Sequence, residues 1–345
     1  MRIKNFFLKY WLFIFLSALV TFFSFFYFIN TNKIQEDKSI LKLPLLKNLE
    51  IDFYPILTTP KYSPKIKEAF LSFNKTIPIY QLNSASLSDQ EAIKIAQKLG
   101  FLNQPKVNYD QQGGSIYNWD EDDKSLLINL SWGTLNYNLN LSNYQNINPE
   151  SLPSFNQAEE IAKNFLRENN FYPPEKINLE TKNISYVSNW DVELKKVTSL
   201  KEATLIQVEF IYKIDNMEII NPYISLAINN QNQVVILRYQ NLPKEIKNFE
   251  SYPLKTVEEL IKAVTEKKSI SYLQISDYYG AVFEESKNII DLNLNNINLV
   301  YYISNPKQLY LQPVFLITGE ATLKDGSIGE IGIYIPAIKD EYLLE

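Results

Sequence analysis

Hydrophobic positions recur along the chain in two periods. From Ser88 they fall at helical spacing: Ala92, Ile95, Ala96 and Leu99 stand at i, i+3, i+4 and i+7 and line one face. Ser88 and Glu91 have the spacing of a capping box, in which each side chain satisfies the other residue's backbone N–H, and Gly100 supplies a left-handed stop. Past this helix the period drops to two. Ser115–Trp119 and Ser125–Trp132 flank the turn DEDDK, with Leu126, Ile128, Leu130 and Trp132 alternating against Leu127, Asn129 and Ser131. Beyond Gly133 the alternation resumes in Leu135, Tyr137, Leu139 and Leu141, so the segment predicts an antiparallel meander with one apolar face.

A shift of 66 residues brings the helical pattern back, with Ser154, Gln157, Ala158, Ile161, Ala162 and Phe165 standing where Ser88, Glu91, Ala92, Ile95, Ala96 and Leu99 stood. That is the signature of a duplicated unit. Strands follow in LIQVEFIYKI, YISLAI and VVILRYQ, the last two joined by NNQNQ. A third helix opens at Thr256, paired with Glu259, and runs through Leu260, Ala263 and Val264. Asp277–Asn288 reads as a surface loop, Leu299–Ile303 and Val314–Leu323 as strands, and Asp325-Gly326 as a type I′ hairpin turn. The predicted fold class is α+β: an N-terminal transmembrane helix, then repeated helix-plus-antiparallel-sheet units over residues 51–150, 151–250 and 251–345.

The transmembrane helix is read from Tyr10–Ile29, twenty residues without a charge. At 1.5 Å per residue such a run covers about the 30 Å hydrocarbon core of a bilayer. Arg2, Lys4 and Lys9 precede it, and Glu36 and Asp37 appear only after it. By the positive-inside rule residues 1–9 are a cytoplasmic tail, residues 30–50 a juxtamembrane linker, and the rest an extracytoplasmic domain of a single-pass plasma-membrane protein. A cleaved signal peptide is the rival reading. It fits less well, because the run is long and ends in Phe25, Phe26, Tyr27, Phe28 and Ile29 where a cleavage site needs small residues. Ser17, Thr21 and Ser24 recur at i, i+4 and i+7 within the run, a stripe of small hydroxyl residues along which a second membrane helix can pack, although a plain tether tolerates the same residues.

Composition removes chemistry rather than adding it. The 345 residues include no Cys and no His, which excludes disulfides, thiolate nucleophiles, Ser-His-Asp triads and His or Cys metal sites. Carboxylate, lysine, tyrosine or Ser-Lys chemistry and oxygen-ligand metal sites survive the exclusion. Glu258/Glu259 diverge on a helix and Glu259 is committed to a cap, Glu284/Glu285 are equally adjacent, and Ser304/Lys307 has no further support. Asp120, Glu121, Asp122 and Asp123 lack the DxDxDG spacing of a calcium loop. No catalytic, cofactor or metal residue is therefore predicted. Residues 30–345 hold 31 bases against 39 acids, a net charge of −8, which argues against a nucleic-acid partner. Tyr117, Trp119, Trp132 and Tyr137 could form an aromatic ligand platform, but Trp132 and Tyr137 continue the apolar alternation, which favours a core or sheet face. Tyr278 and Tyr279, in the loop DYYGAVFEE, are candidate partner-contact residues, with a loop folded on its own domain as the simpler alternative.

The helix starts SLSDQEAIKIAQKLGF and SFNQAEEIAKNFL, each followed by strands, resemble PepSY-type domains. VEFIYKIDNMEIINPYISLAINNQNQVVILRYQ and NLVYYISNPKQLYLQPVFLITGEATLKDGSIGEIGIYIP are similar to the exported parts of YycH/YycI-like proteins. The resemblance covers roughly residues 75–338 and supplies no catalytic residue. It implies a non-enzymatic, membrane-anchored binding or regulatory protein that modulates an envelope partner such as a sensor kinase. A structural or assembly factor of the envelope is the alternative, and a carboxylate-based hydrolase the remotest.

Overall fold

The computed structural model describes residues 43–49, 58–111, 113–139, 151–190, 193–265, 270–275, 278–280 and 289–344. The chain divides into two units, Met1–Leu45 and Leu46–Glu345, and every described element belongs to the second. It opens with β1 (Leu46–Lys47), β2 (Lys61–Tyr62), α1 (Pro64–Leu71) and β3 (Thr76–Leu82). The first repeat is α2 (Asp89–Lys98) with β4 (Lys106–Tyr109), β5 (Ser115–Glu121), β6 (Lys124–Asn129) and β7 (Thr134–Leu139). The second is α3 (Phe155–Glu168) with β8 (Asn178–Trp190), β9 (Glu193–Lys196), β10 (Leu205–Ile214), β11 (Met217–Ile228) and β12 (Val234–Gln240). Then come β13 (Ile246–Pro253), α4 (Val257–Thr265), β14 (Ile270–Ile275), β15 (Tyr278–Gly280), β16 (Ile289–Tyr302), β17 (Tyr310–Leu323), β18 (Ile328–Pro336) and β19 (Leu343–Leu344).

The two repeats begin and end their helices by the same devices. Ser88 with Glu91, and Ser154 with Gln157, form complete capping boxes. At the other end Gly100 and Asn170 both take a left-handed φ, +83° and +59°. Phe101 N donates to Ala96 O at 2.9 Å and Phe171 N to Leu166 O at 2.8 Å, the long bond of a Schellman motif. Helix α3 is one turn longer than α2, 14 residues against 10. Each motif delivers a phenylalanine to the core: Phe101 meets Trp119 and Tyr137, and Phe171 lies 4.8 Å from Tyr239.

The repeats do not stay separate. β7 pairs antiparallel with β12, from Ile236↔Asn138 to Gln240↔Thr134, so nine strands run as one antiparallel sheet in the order β9-β8-β10-β11-β12-β7-β6-β5-β4. Helix α3 lies on β8 and β10–β12. A second sheet has the order β2-β16-β17-β18-β14-β15, with α1 on β16 and α4 on β18. β11 belongs to both. Its second half pairs with β12, while Ile219 and Ile220 pair parallel with Tyr301 and Tyr302 of β16. The switch falls at Asn221, whose φ of +89° bends the strand and whose amide donates to Ile303 O. A ribbon of β13 and β3 attaches to the start of β17 through Tyr310↔Gln81 and Leu311↔Tyr80.

These pairings correct the α+β arrangement of repeated units behind an N-terminal transmembrane helix. The described chain is predominantly β, and pairing joins 17 of its strands. The physical reason is the strand edge: β7 and β12 each expose a row of backbone N–H and C=O groups, and the pairing of one repeat with the other satisfies both. The single-pass, signal-anchored, plasma-membrane reading is corrected too. No helix among the described residues is long and apolar enough to cross a membrane. The longest described helix, α3, has 14 residues, about 21 Å at 1.5 Å per residue, against a core of about 30 Å. Tyr10–Ile29, which carried that expectation, lies outside the described residues.

One turn differs in type from expectation. At Asp325-Gly326 only Gly326 has a positive φ; Gly326 N donates to Leu323 O and Leu323 N to Ser327 O. This is a three-residue connection with the glycine in a bulge and not a type I′ turn. The type I′ geometry is instead at Asp215-Asn216, where φ is +48° and +65° and Ile214 pairs with Met217.

Candidate functional site

The loop from Ile303 to Leu309, between β16 and β17, is organised by one side chain. Gln308 Oε1 accepts from Ser304 N at 2.7 Å and Ser304 Oγ at 2.8 Å, while Gln308 Nε2 donates to the carbonyls of Tyr302 at 2.8 Å and Tyr310 at 2.6 Å. Asn305 Oδ1 accepts from Lys307 N at 2.9 Å, an Asx turn that sets the loop tip. From outside, Leu82 N donates to Leu309 O at 2.8 Å and Ala85 N to Pro306 O at 3.0 Å. The loop is thus fixed at both ends and in the middle, and it holds Leu309 60% exposed.

Facing it is the turn between β6 and β7. Asn129 Oδ1 accepts from Trp132 N at 3.1 Å, and Gly133 takes φ +61° with its carbonyl accepting from Asn241 N at 2.8 Å. A Cβ at Gly133 would run into the Ala85 carbonyl, so glycine is required by packing as well as by φ. The third wall is the segment Lys47–Leu49. Its strand β1 pairs parallel with β19, Leu46↔Leu343 and Lys47↔Leu344. Buried Gln312 donates to Lys47 O at 2.7 Å, and Leu49 packs with Val300 and Val314.

Between these walls is a cleft of about 370 Å³, lined by residues 47–49, Ser131, Trp132, residues 304–310 and Gln312. Trp132, Pro306, Leu309 and Tyr310 give it apolar surface, Asn48, Asn305, Lys47 and Lys307 give it polar groups, and among the described residues its lining contains no carboxylate. Volume and lining suit a small ligand or a few side chains of another polypeptide.

Trp132 is the one member of the expected aromatic group that reaches this cleft, and it does so from a turn and not from a strand. Trp119 is buried with its Nε1 donating to Asn103 O at 3.0 Å, Tyr137 is buried against Phe101, and Tyr117 stacks obliquely on Trp119. Ser304 and Lys307 both line the cleft, but the Ser304 hydroxyl is given to Gln308, so they do not form a Ser-Lys dyad. Glu259 caps α4, accepting from Thr256 N at 2.6 Å. In the acidic turn, Glu121 Oε1 accepts from Leu102 N at 3.0 Å and Asn103 N at 3.4 Å; these bonds draw its carboxyl below the usual range and use it as a structural anchor. Tyr278 and Tyr279 stand in strand β15, paired with Ile275 and Gln274, where a loop was expected. Ser17, Thr21 and Ser24 lie outside the described residues.

The cleft itself was missed because its walls come from three segments about 85 and 170 residues apart. The Asn305-Pro306 dipeptide was the available local signal, since such a pair initiates a turn. No family model and no curated protein matches the chain. The solved structure of an uncharacterized protein from Eubacterium rectale is similar over 80% of this chain and 86% of that one, at 12% sequence identity and a TM-score of 0.43.

Proposed function

We propose that the protein is a non-enzymatic binding module that takes a segment of a partner protein into this cleft and regulates the partner through that contact. The observation that carries the reading is the fixed loop. Leu309 is held out into solvent in the same cleft as Trp132 by backbone whose polar groups Gln308 already satisfies, so little ordering is left to be done on binding. A rigid apolar anchor sharing a cleft with a tryptophan, asparagines and lysines has the make-up of an interface centre. The net charge of −5 favours a protein over a nucleic acid as the partner. Regulation, and not assembly, is the role that the PepSY and YycH/YycI resemblance adds.

The test is a photoactivatable residue in place of Leu309 in the full chain, irradiated in the producing cell, with the same residue at exposed Leu71 of α1 as control. One predominant adduct from position 309, absent from position 71 and lost with Trp132→Ala, is expected. No adduct, or the same adducts from both positions, overturns the proposal.

A further inference from the structure

The nine-stranded sheet has two edges of different character. β9 ends in Lys195 and Lys196, charges that discourage a further strand. β4 is exposed at all four residues, with Val107 46% and Tyr109 72% exposed. Among the described residues β4 pairs with β5 alone. Asp110 N, one residue past β4, donates to Gly114 O at 2.8 Å. In an antiparallel ladder that bond fixes the alternation: Lys106 and Asn108 turn their N–H and C=O groups toward β5, while Val107 and Tyr109 turn theirs outward. An added strand must therefore bond at Val107 and Tyr109.

Three self-pairings satisfy that parity. With the two-fold axis at Val107, Tyr109 would face Pro105, which has no N–H to give. With the axis at Tyr109, Asn108 would face Asp110 and Val107 would face Gln111, apolar against polar. With the axis at Asn108, every pair within residues 106–110 matches: Val107 faces Tyr109 on the same side of the sheet, Lys106 faces Asp110, and Asn108 faces its own copy. The Asp110 carboxylate is already oriented, its Oδ1 accepting from Gly114 N at 2.6 Å and its Oδ2 from Asn129 Nδ2 at 3.2 Å. We infer that β4 is a self-association strand, pairing antiparallel with β4 of a second copy of this chain about a two-fold axis through Asn108. The strand is short, so the pairing is concentration-dependent.

The absence of cysteine from the chain makes the register directly readable. Facing residues in a non-hydrogen-bonded antiparallel pair have Cα atoms about 4.5 Å apart, within disulfide range. The two Lys106 residues of such a pair stand about 13 Å apart, out of range. Purified full chain carrying Asn108→Cys, oxidised with diamide, is expected to form a disulfide dimer that Lys106→Cys does not form. Adding Val107→Pro, which removes an outward N–H and leaves the bonds to β5 intact, is expected to abolish it. Equal crosslinking of Asn108→Cys and Lys106→Cys, or crosslinking that survives Val107→Pro, overturns the inference.

Discussion

The phenol of Tyr80 donates a hydrogen bond to the carboxylate of Asp215, across 135 residues of sequence. Tyr80 is buried in β3 with its ring 5.5 Å from that of Tyr301, and Asp215 sits in the tight turn that joins β10 to β11. One bond therefore ties the β3 ribbon to the nine-stranded sheet at the turn from which β11 sets out. Tyr80→Phe is expected to lower the free energy of unfolding by about 1–2 kcal/mol. In urea titrations the midpoint falls with the slope unchanged. Asp215→Asn added to Tyr80→Phe lowers it by less than the sum of the two single changes.

Burial also sets the alkaline limit of stability. It pushes the Tyr62 phenol up to about 12, and raises Tyr212, Tyr239 and Tyr301 above their ordinary value as well. Tyr80 is raised by burial first and by the Asp215 carboxylate second. These groups stay protonated in the folded protein while the unfolded chain ionises them from about pH 10. Their contribution is complete below about pH 10 and is lost as the pH climbs toward the raised values. Unfolding free energy is expected to be level from about pH 8 to about pH 10 and to fall beyond it. Tyr62→Phe should make that fall shallower, since its hydroxyl is buried with no partner among the described residues. An unchanged slope would count against the assignment.

Gln308 holds the cleft loop through four hydrogen bonds. Gln308→Ala removes one hydrogen bond from each of the Tyr302 and Tyr310 carbonyls and those to Ser304, a loss of about 1–3 kcal/mol. Amide hydrogen exchange in residues 304–309 should accelerate, while exchange in β5 and β6 should not. The adduct formed from position 309 should weaken in parallel.

Two glycines separate crowding from backbone strain. A Cβ at Gly319 would strike the carbonyl of Asn293 and lie 2.7 Å from Leu294 Cα, beside the bulge between Leu294 and Asn296 of β16. Gly326 has open space around it but a φ of +86°. Gly326→Ala should cost about 1–2 kcal/mol through strain alone. Gly319→Ala should exceed that, because two backbones must part. Thermal unfolding of the two variants, with the larger loss at Gly319, checks the difference.

Local chemistry was the readable part of this chain. Ser88 with Glu91, Ser154 with Gln157 and Thr256 with Glu259 cap helices where their spacing places them, because a capping box involves only four consecutive residues. Strand alternation was readable for the same reason, but strand partners were not. Nothing in TLNYNL or VVILRYQ marks Tyr137 as the neighbour of Leu237, since any two alternating strands present compatible backbones. That gap turned three expected units into continuous sheets. Trp132 continued the apolar alternation by count and stands in a turn, because Gly133 ends the strand early. Asp325-Gly326 forms a bulged three-residue connection where a type I′ turn was expected, a choice fixed by the length of the connection and not by the dipeptide.

The parallel pairing of Leu46 with Leu343 sets a clock on the cleft. Nearly 300 residues lie between the two partners, so during synthesis the wall formed by Lys47 and Leu49 has no strand partner until β19 has left the ribosome. The helices and hairpins between can form as they emerge. The cleft is therefore among the last features of this unit to be completed, and its third wall gains its strand partner only when the fold behind it is closed.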